Sequence, residues 1–298
     1  MDNIDRLKIG KDLNVLTIDV EDYYQVSGFE SVIRFEHWDR YESRVERNTY
    51  RILDILNEHK TKATFFILGW VAERFPGLVR RLHAEGHEIG SHSYAHKLIY
   101  RQTPAEFRED LKRSKGMLED IISDRIIGYR APSYSITKAS LWAFDFLIEE
   151  GFLYDSSVFP IRRDRYGIPD AQRFPYRVSG TNGGSILEIP LSTVVILGTN
   201  IPVAGGGYLR LFPYSFIRWG LKHINEAEGR GAVIYIHPWE IDTHQPRLRG
   251  SLLSMFRHYI SLDRTEPVLK KMLEEFQLHP MRRLYDQFTV SRQAQPTA

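Results

Sequence analysis

A chain of 298 residues, 42% apolar and 26% charged, can bury a sizeable core as one large α/β domain or two smaller ones. A formal charge of +2 leaves no basic footprint for nucleic acid, and the lack of cysteine excludes disulfides and thiolate metal sites. No apolar run approaches the ~20 residues of a membrane span, and Met1 to Lys8 lacks the apolar centre of a signal peptide, so the expectation is a cytoplasmic protein.

Val15-Leu16-Thr17-Ile18 reads as a short strand that ends in Asp19-Val20-Glu21-Asp22. Three carboxylates within four residues repel one another and call for a cation or solvent. Val45 to Lys60 has the apolar spacing of a helix, and Lys62 to Leu68 that of a buried strand. Pro76 opens a helix over 77–85 that Gly86 caps. His87-Glu88-Ile89-Gly90 is a strand leading into His92-Ser93-Tyr94-Ala95-His96. If these residues wind as a helical turn, the two imidazoles share a face and reach one ion.

Thr103-Pro104-Ala105-Glu106 is a capping box that starts a helix to about Ile121. Arg125 to Tyr129 reads as a strand ending at Arg130-Ala131-Pro132-Ser133, and Thr137 caps a helix that Gly151 closes. Phe152-Leu153-Tyr154 is a strand ending at Asp155, followed by loop from Phe159 to Pro175. Ser185 to Pro190 and Thr193 to Leu197 read as strands. Gly205-Gly206-Gly207-Tyr208 reads as a flexible turn, without the context of a phosphate loop. Pro213 starts a helix, and Ala232 to Ile236 is a strand ending at His237-Pro238-Trp239-Glu240. Amphipathic segments follow at 252–262 and 266–276, and the polar tail beyond Val290 is expected to be disordered.

Strands alternating with helices predict a parallel sheet or barrel, in which reactive groups gather at the C-terminal strand ends. Five polar clusters fall at such ends: Asp19 to Asp22, His92 to His96, Arg130, Asp155 and His237. His92, His96 and one carboxylate would form an open site for Zn²⁺ or another divalent first-row ion. In an extended strand Asp19 and Glu21 point the same way, so one can bind metal while the other acts as a base. Asp19 is the candidate base, Arg130 its tether and His237 the candidate acid. Asp155 would orient His237 or contact substrate, and Trp239 is a further substrate contact.

This ordered set, with His92-Ser93-Tyr94-Ala95-His96 its most specific part, resembles the polysaccharide deacetylases of the NodB-homology type, carbohydrate esterase family 4. The resemblance spans residues 13 to 238 and implies a distorted (β/α) barrel that removes acetyl groups from N-acetylated sugars with a divalent ion. Zn²⁺ is the first choice and Co²⁺, Ni²⁺ or Mn²⁺ the alternatives. It implies Asp19 as base, Glu21, His92 and His96 as metal ligands, Arg130 as tether and His237 as acid. The backbone N–H of Ser133 would meet the oxyanion. Asp-Val-Glu-Asp departs from the commoner adjacent-aspartate pattern and is similar to an Asp-Val-Asp/Glu subgroup, which favours Glu21 over Asp22.

Asp19 to Gln25, Tyr154 to Ser157 and Ala204 to Arg210 also resemble deacetylases associated with exosortase and exopolysaccharide gene clusters, which carry an extra region, matched here from about Phe159. The expectation is one domain over 1–298, with a core at about 13–238 and an extension at about 239–290. The expected partner is an acetylated saccharide of a polysaccharide or its lipid-linked precursor. Competing readings are a cyclic amide or imide hydrolase of allantoinase type and a catalytically dead carbohydrate-binding protein.

Overall fold

The computed structural model describes residues 13–293. In chain order the strands and α-helices are β1 (Asn14–Val20), α1 (Val45–Glu58), β2 (Thr64–Ile67), α2 (Gly69–Arg74), α3 (Pro76–Ala84), β3 (Glu88–Ser91), α4 (Pro104–Ile122), β4 (Gly128–Tyr129), α5 (Ala143–Glu149) and β5 (Tyr154–Asp155). They continue with β6 (Tyr176–Ser179), β7 (Ser185–Glu188), β8 (Thr193–Ile196), β9 (Thr199–Pro202), α6 (Gly207–Leu211), α7 (Tyr214–Lys222), β10 (Val233–Ile236), α8 (Leu252–Tyr259), α9 (Thr265–Glu275), β11 (Leu278–His279) and α10 (Met281–Gln293).

The main sheet runs β10-β1-β2-β3-β4-β5-β7-β6, with β11 also on β1; every pairing is parallel except β6 with β7. It curls into a half-barrel, the distorted (β/α) barrel expected from the sequence. β1 is buried along its whole length, as befits a strand with parallel partners on both sides. Its side chains alternate. Leu16, Ile18 and Val20 pack in the larger core with the helices, while Val15 packs with Phe66, Tyr134 and Tyr235 in a second one. Thr17 and Asp19 share the Val15 face by the same period of two. Gly90 in β3 permits this crowding, since a Cβ there would stand 2.6 Å from the Phe66 ring.

The outer edge of β10 is covered by Ala204 to Gly206, which exchange backbone hydrogen bonds with Tyr235. Gly205 is required there: its φ is +149° and a Cβ would lie 1.9 Å from the Tyr235 carbonyl oxygen. The stretch expected to be a flexible turn thus seals a strand edge and leads into α6. Three other expectations also change. α2 was not foreseen, because its six residues include no full apolar period. β4 keeps only two residues of the strand expected over 125–129. α10 runs to Gln293, inside the tail expected to be disordered; the rest of that tail and the Met1 to Lys8 segment lie outside the described residues. No helix among the described residues is long and apolar enough to cross a membrane.

Candidate active site

Asp19, at the end of β1, is almost fully buried and accepts from Arg130 Nη1 at 2.7 Å and from the Tyr134 hydroxyl at 3.3 Å. Arg130 is itself fully buried. It donates to Thr17 Oγ1 (2.6 Å), to the Ser156 carbonyl (3.1 Å) and to Ser156 Oγ (2.9 Å), and its guanidinium lies 4.4 Å from the Phe66 ring centroid. Such a guanidinium has little freedom to leave its carboxylate.

Two residues on, Glu21 turns toward His92 and His96, and one ligand atom from each of the three lies within 4.8 Å of the others. His92 Nδ1 donates to the Arg130 carbonyl at 2.7 Å, which leaves Nε2 with its lone pair. His96 Nδ1 meets the Ser27 hydroxyl at 3.3 Å, and Nε2 stands 2.7 Å from Glu21 Oε2. Glu21 Oε1 accepts from the Trp239 indole N–H at 3.1 Å, while Oε2 is buried without a hydrogen-bond partner. In each residue the outer atom is held by a partner outside the set, and the inner donor atoms face one another. Two imidazole nitrogens and an orphaned carboxylate oxygen fit a divalent cation.

The histidine pair does not sit on a helical turn. Ser93 and His96 take φ of 65° and 53°, so the loop after β3 reverses sharply and brings the rings to 5.4 Å by a non-helical route. Asp22 takes no part in the cluster. Its carboxylate accepts from Ser43 Oγ (2.8 Å) and from the backbone N–H groups of Arg44 (2.8 Å) and Val45 (3.1 Å), which caps α1.

His237 closes the far side, with Nε2 3.9 Å from Asp19 Oδ2 and 3.6 Å from Glu21 Oε1. Its Nδ1 is bonded to Glu240 Oε1, and Glu240 Oε2 accepts from Arg210 Nε at 3.2 Å. Burial would lower the His237 pKa, but Glu240, then Glu21 and Asp19, outweigh it and raise the pKa to about 9. Burial would likewise raise the Glu21 pKa, but His96, with His237 and His92, holds that carboxyl well below its usual range. Burial takes His92 down to about 4, so it is neutral, the form that binds metal.

Residues 33–147 match the family model described as polysaccharide deacetylase. The chain carries a polysaccharide deacetylase domain. His92, His96, Arg130 and Ser133 fall within the deacetylase match, whereas Asp19 and Glu21 precede it. Residues 156–286 match a second model, a domain of unknown function (DUF3473), and that stretch supplies His237, Trp239, Glu240 and Arg210.

The chain is 41% identical over 86 residues to a peptidoglycan-N-acetylglucosamine deacetylase of Bacillus cereus, a match covering 29% of each chain. Matches to such curated relatives span 15% to 42% of the relatives' own length. Among solved structures it is similar to a candidate polysaccharide deacetylase from Mycobacterium smegmatis, with TM-score 0.61, 20% identity and coverage of 94% of this chain and 91% of that one. It is also similar to the Puue allantoinase, with TM-score 0.60, 15% identity and coverage of 98% and 94%. These two likenesses are of fold.

Around this cluster, Ser133 (φ 50°) and Trp239 line the adjoining cavity. Asp155, expected to contact substrate or orient His237, makes no hydrogen bond to His237. It is fully buried on β5 and accepts from the Ser157 N–H (3.1 Å) and hydroxyl (2.6 Å), and Ser157 Oγ in turn accepts from the Ala131 N–H at 2.7 Å. Asp155 therefore braces the Arg130 turn from behind. Its register partner across the sheet is Glu188, and burial pushes both carboxyls up. Sequence reasoning missed Tyr134, Glu240 and Arg210. Glu240 had a signal, an acid three residues after a strand-end histidine. Arg210 had none, since its carbonyl partners lie 47 to 50 residues away.

Proposed function

We propose that this chain is a metal-dependent hydrolase that removes N-acetyl groups from the sugars of a bacterial polysaccharide or of its lipid-linked precursor. The observation that carries the reading is the pairing of two groups: the Glu21–His92–His96 set with its converging inner atoms, and Asp19 and His237 standing 3.9 Å apart beside it. Glu21, His92 and His96 would hold the ion, with Zn²⁺ the first choice for two imidazoles and a carboxylate. When bound, a divalent ion polarises the acetyl carbonyl and acidifies water.

Asp19, kept oriented by Arg130 and Tyr134, takes the proton of the attacking water as its oxygen bonds to the carbonyl carbon. Ser133 lines the adjoining cavity, and its backbone N–H is the donor this reading assigns to the oxyanion. The C–N bond then breaks with its electron pair on nitrogen, and His237 Nε2 protonates the departing amine. Glu240 holds the Nδ1 side of that ring throughout, and acetate leaves. The same reading takes the chain as one catalytic unit, with the stretch after 238 packed on the core, since β11 pairs with β1.

The test is acetate release from N-acetylglucosamine oligomers and from acetylated exopolysaccharide by the metal-loaded protein. Activity lost on chelation and restored by a divalent ion is expected; undiminished release by the fully chelated protein refutes metal dependence.

A further inference from the structure

Beside His237 and Trp239 lies a cavity of about 340 Å³. Its walls are aromatic: Phe29, Tyr166, Tyr208, Tyr235, Trp239 and Phe256 all line it, and flat aromatic faces suit sugar rings. Its mouth is basic, since Arg163, Arg165 and Arg257 line it too. Glu240 is the one carboxylate among the lining residues, and its oxygens are committed to His237 and Arg210.

These arginines are oriented without being neutralised. Arg163 Nε donates to the Tyr208 hydroxyl at 2.7 Å, and that hydroxyl meets the Tyr166 hydroxyl at 3.0 Å. Arg165 Nη1 donates to the Ser27 carbonyl at 3.1 Å. Neither makes an ion pair with a carboxylate among the described residues. Arg257 pairs with Asp164 at 3.3 Å, but both side chains are half exposed, where solvent screens an ion pair strongly. A half-enclosed cavity also screens charge less than open solvent does. The arginines come from the loop before β6 and from α8, both within the stretch matched to the domain of unknown function. Nothing in removing an acetyl group from a neutral sugar requires them.

We propose that this cavity is an acid-recognising subsite. It takes a carboxylate or phosphate carried by the saccharide next to the acetylated sugar, and Arg163 and Arg165 are its specificity residues. The proposal rests on the deacetylase reading for the sugar and adds the charge that the sugar's neighbour must carry. Guanidinium groups that keep free N–H donors pair with such oxyanions through charge-assisted hydrogen bonds.

The test is calorimetric binding to the metal-loaded Asp19→Asn variant, with kcat/KM for acetate release measured on the unsubstituted enzyme. Three probes of matched length are used: a neutral N-acetylglucosamine oligomer, an oligomer alternating N-acetylglucosamine with glucuronate, and an N-acetylglucosamine oligomer bearing a terminal phosphate. One acidic probe should bind about 10- to 100-fold more tightly than the neutral one, with an advantage that shrinks as salt is raised. Which acidic probe wins identifies the group. The ratio of acidic to neutral binding should fall to about one in Arg163→Gln/Arg165→Gln and survive in part in Arg163→Lys/Arg165→Lys. Equal binding of all three probes, or a preference that outlasts the glutamine pair, overturns the subsite. Acetate release without any acidic preference overturns the subsite and leaves the deacetylase reading intact. An acidic preference with no acetate released from any probe does the reverse.

Discussion

Glu240→Gln isolates the carboxylate behind His237 with almost no change of volume. Glu240 is fully buried and divides its oxygens, Oε1 to His237 Nδ1 and Oε2 to Arg210 Nε. Both partners are donors. An amide has one oxygen, so glutamine satisfies one of them and sets an NH₂ against the other. Arg210 keeps three backbone carbonyls, those of Arg257, His258 and Ile260, so its charge stays partly paired. Loss of one hydrogen bond to a charged group costs about 1.5–3 kcal/mol. If that loss falls on His237 in the transition state, kcat drops about 10- to 100-fold. KM should move little, since both Glu240 oxygens are committed to His237 and Arg210. The Glu21–His92–His96 set is untouched, so bound metal should stay at the unsubstituted level, and Glu240→Asp should recover part of the rate. Steady-state acetate release, metal analysis and thermal melting together decide the matter. An unchanged kcat in a folded, metal-replete variant would refute the positioning role, and loss of the metal would show that Glu240 acts through the wrong neighbour.

Asp19→Asn should keep metal and lose about 10²- to 10⁴-fold in turnover, whereas His92→Ala should lose the metal, both read by metal analysis beside acetate release. A metal-free Asp19→Asn protein would reverse the assignment of base and ligand. Trp239→Phe removes the N–H bonded to Glu21 Oε1 and should weaken metal affinity about 10-fold, measured by competition with a chelator. His87, remote from this chemistry, gives a pH signature. Burial first, then the charge of Lys62, lowers its pKa to about 4, and Nδ1 accepts from the Ala63 N–H. The folded chain therefore refuses a proton that the unfolded chain takes up at about 6.5. The resulting stability is complete above pH 6.5 and is lost as pH falls toward 4. Between pH 7 and 5 the loss should be about 1–2 kcal/mol greater than in His87→Asn, as measured by urea unfolding. Parallel pH profiles for the two proteins would contradict this.

The residues that the sequence made legible are those whose chemistry is local. Asp19 and Glu21 alternate on a strand, and the capping box at Thr103 and Glu106 forms as its spacing predicts, with Thr103 Oγ1 accepting from the Glu106 N–H at 3.3 Å. What stayed hidden depends on distant partners or on unusual backbone. The His92–His96 geometry arises from two left-handed residues that no periodicity announces. Asp22 differs from Glu21 only in what it meets, the N-terminus of α1 more than twenty positions away. A strand-end carboxylate in a barrel suggests a ligand contact, and the sequence could not show that Asp155 bonds to Ser157, whose hydroxyl, with that of Ser156, braces the Arg130 turn. Arg210 lies in a glycine-rich stretch whose role as an edge seal becomes visible only once β10 is in place.

The pairing of β1 with β10 also sets an order of assembly. Val15 meets Val233 and Ile18 meets Ile236, partners separated by more than two hundred positions. During synthesis, β1 acquires β2 early, so Asp19, Glu21 and the two histidines can gather long before His237 leaves the ribosome. Until then one flank of a wholly buried strand is a bare row of N–H and C=O groups, a template for pairing with another chain. Chains stopped short of residue 237 should thus associate rather than stay monomeric. The slow step in refolding should be closure of the β1–β10 seam, the event that also brings the proton donor to its base.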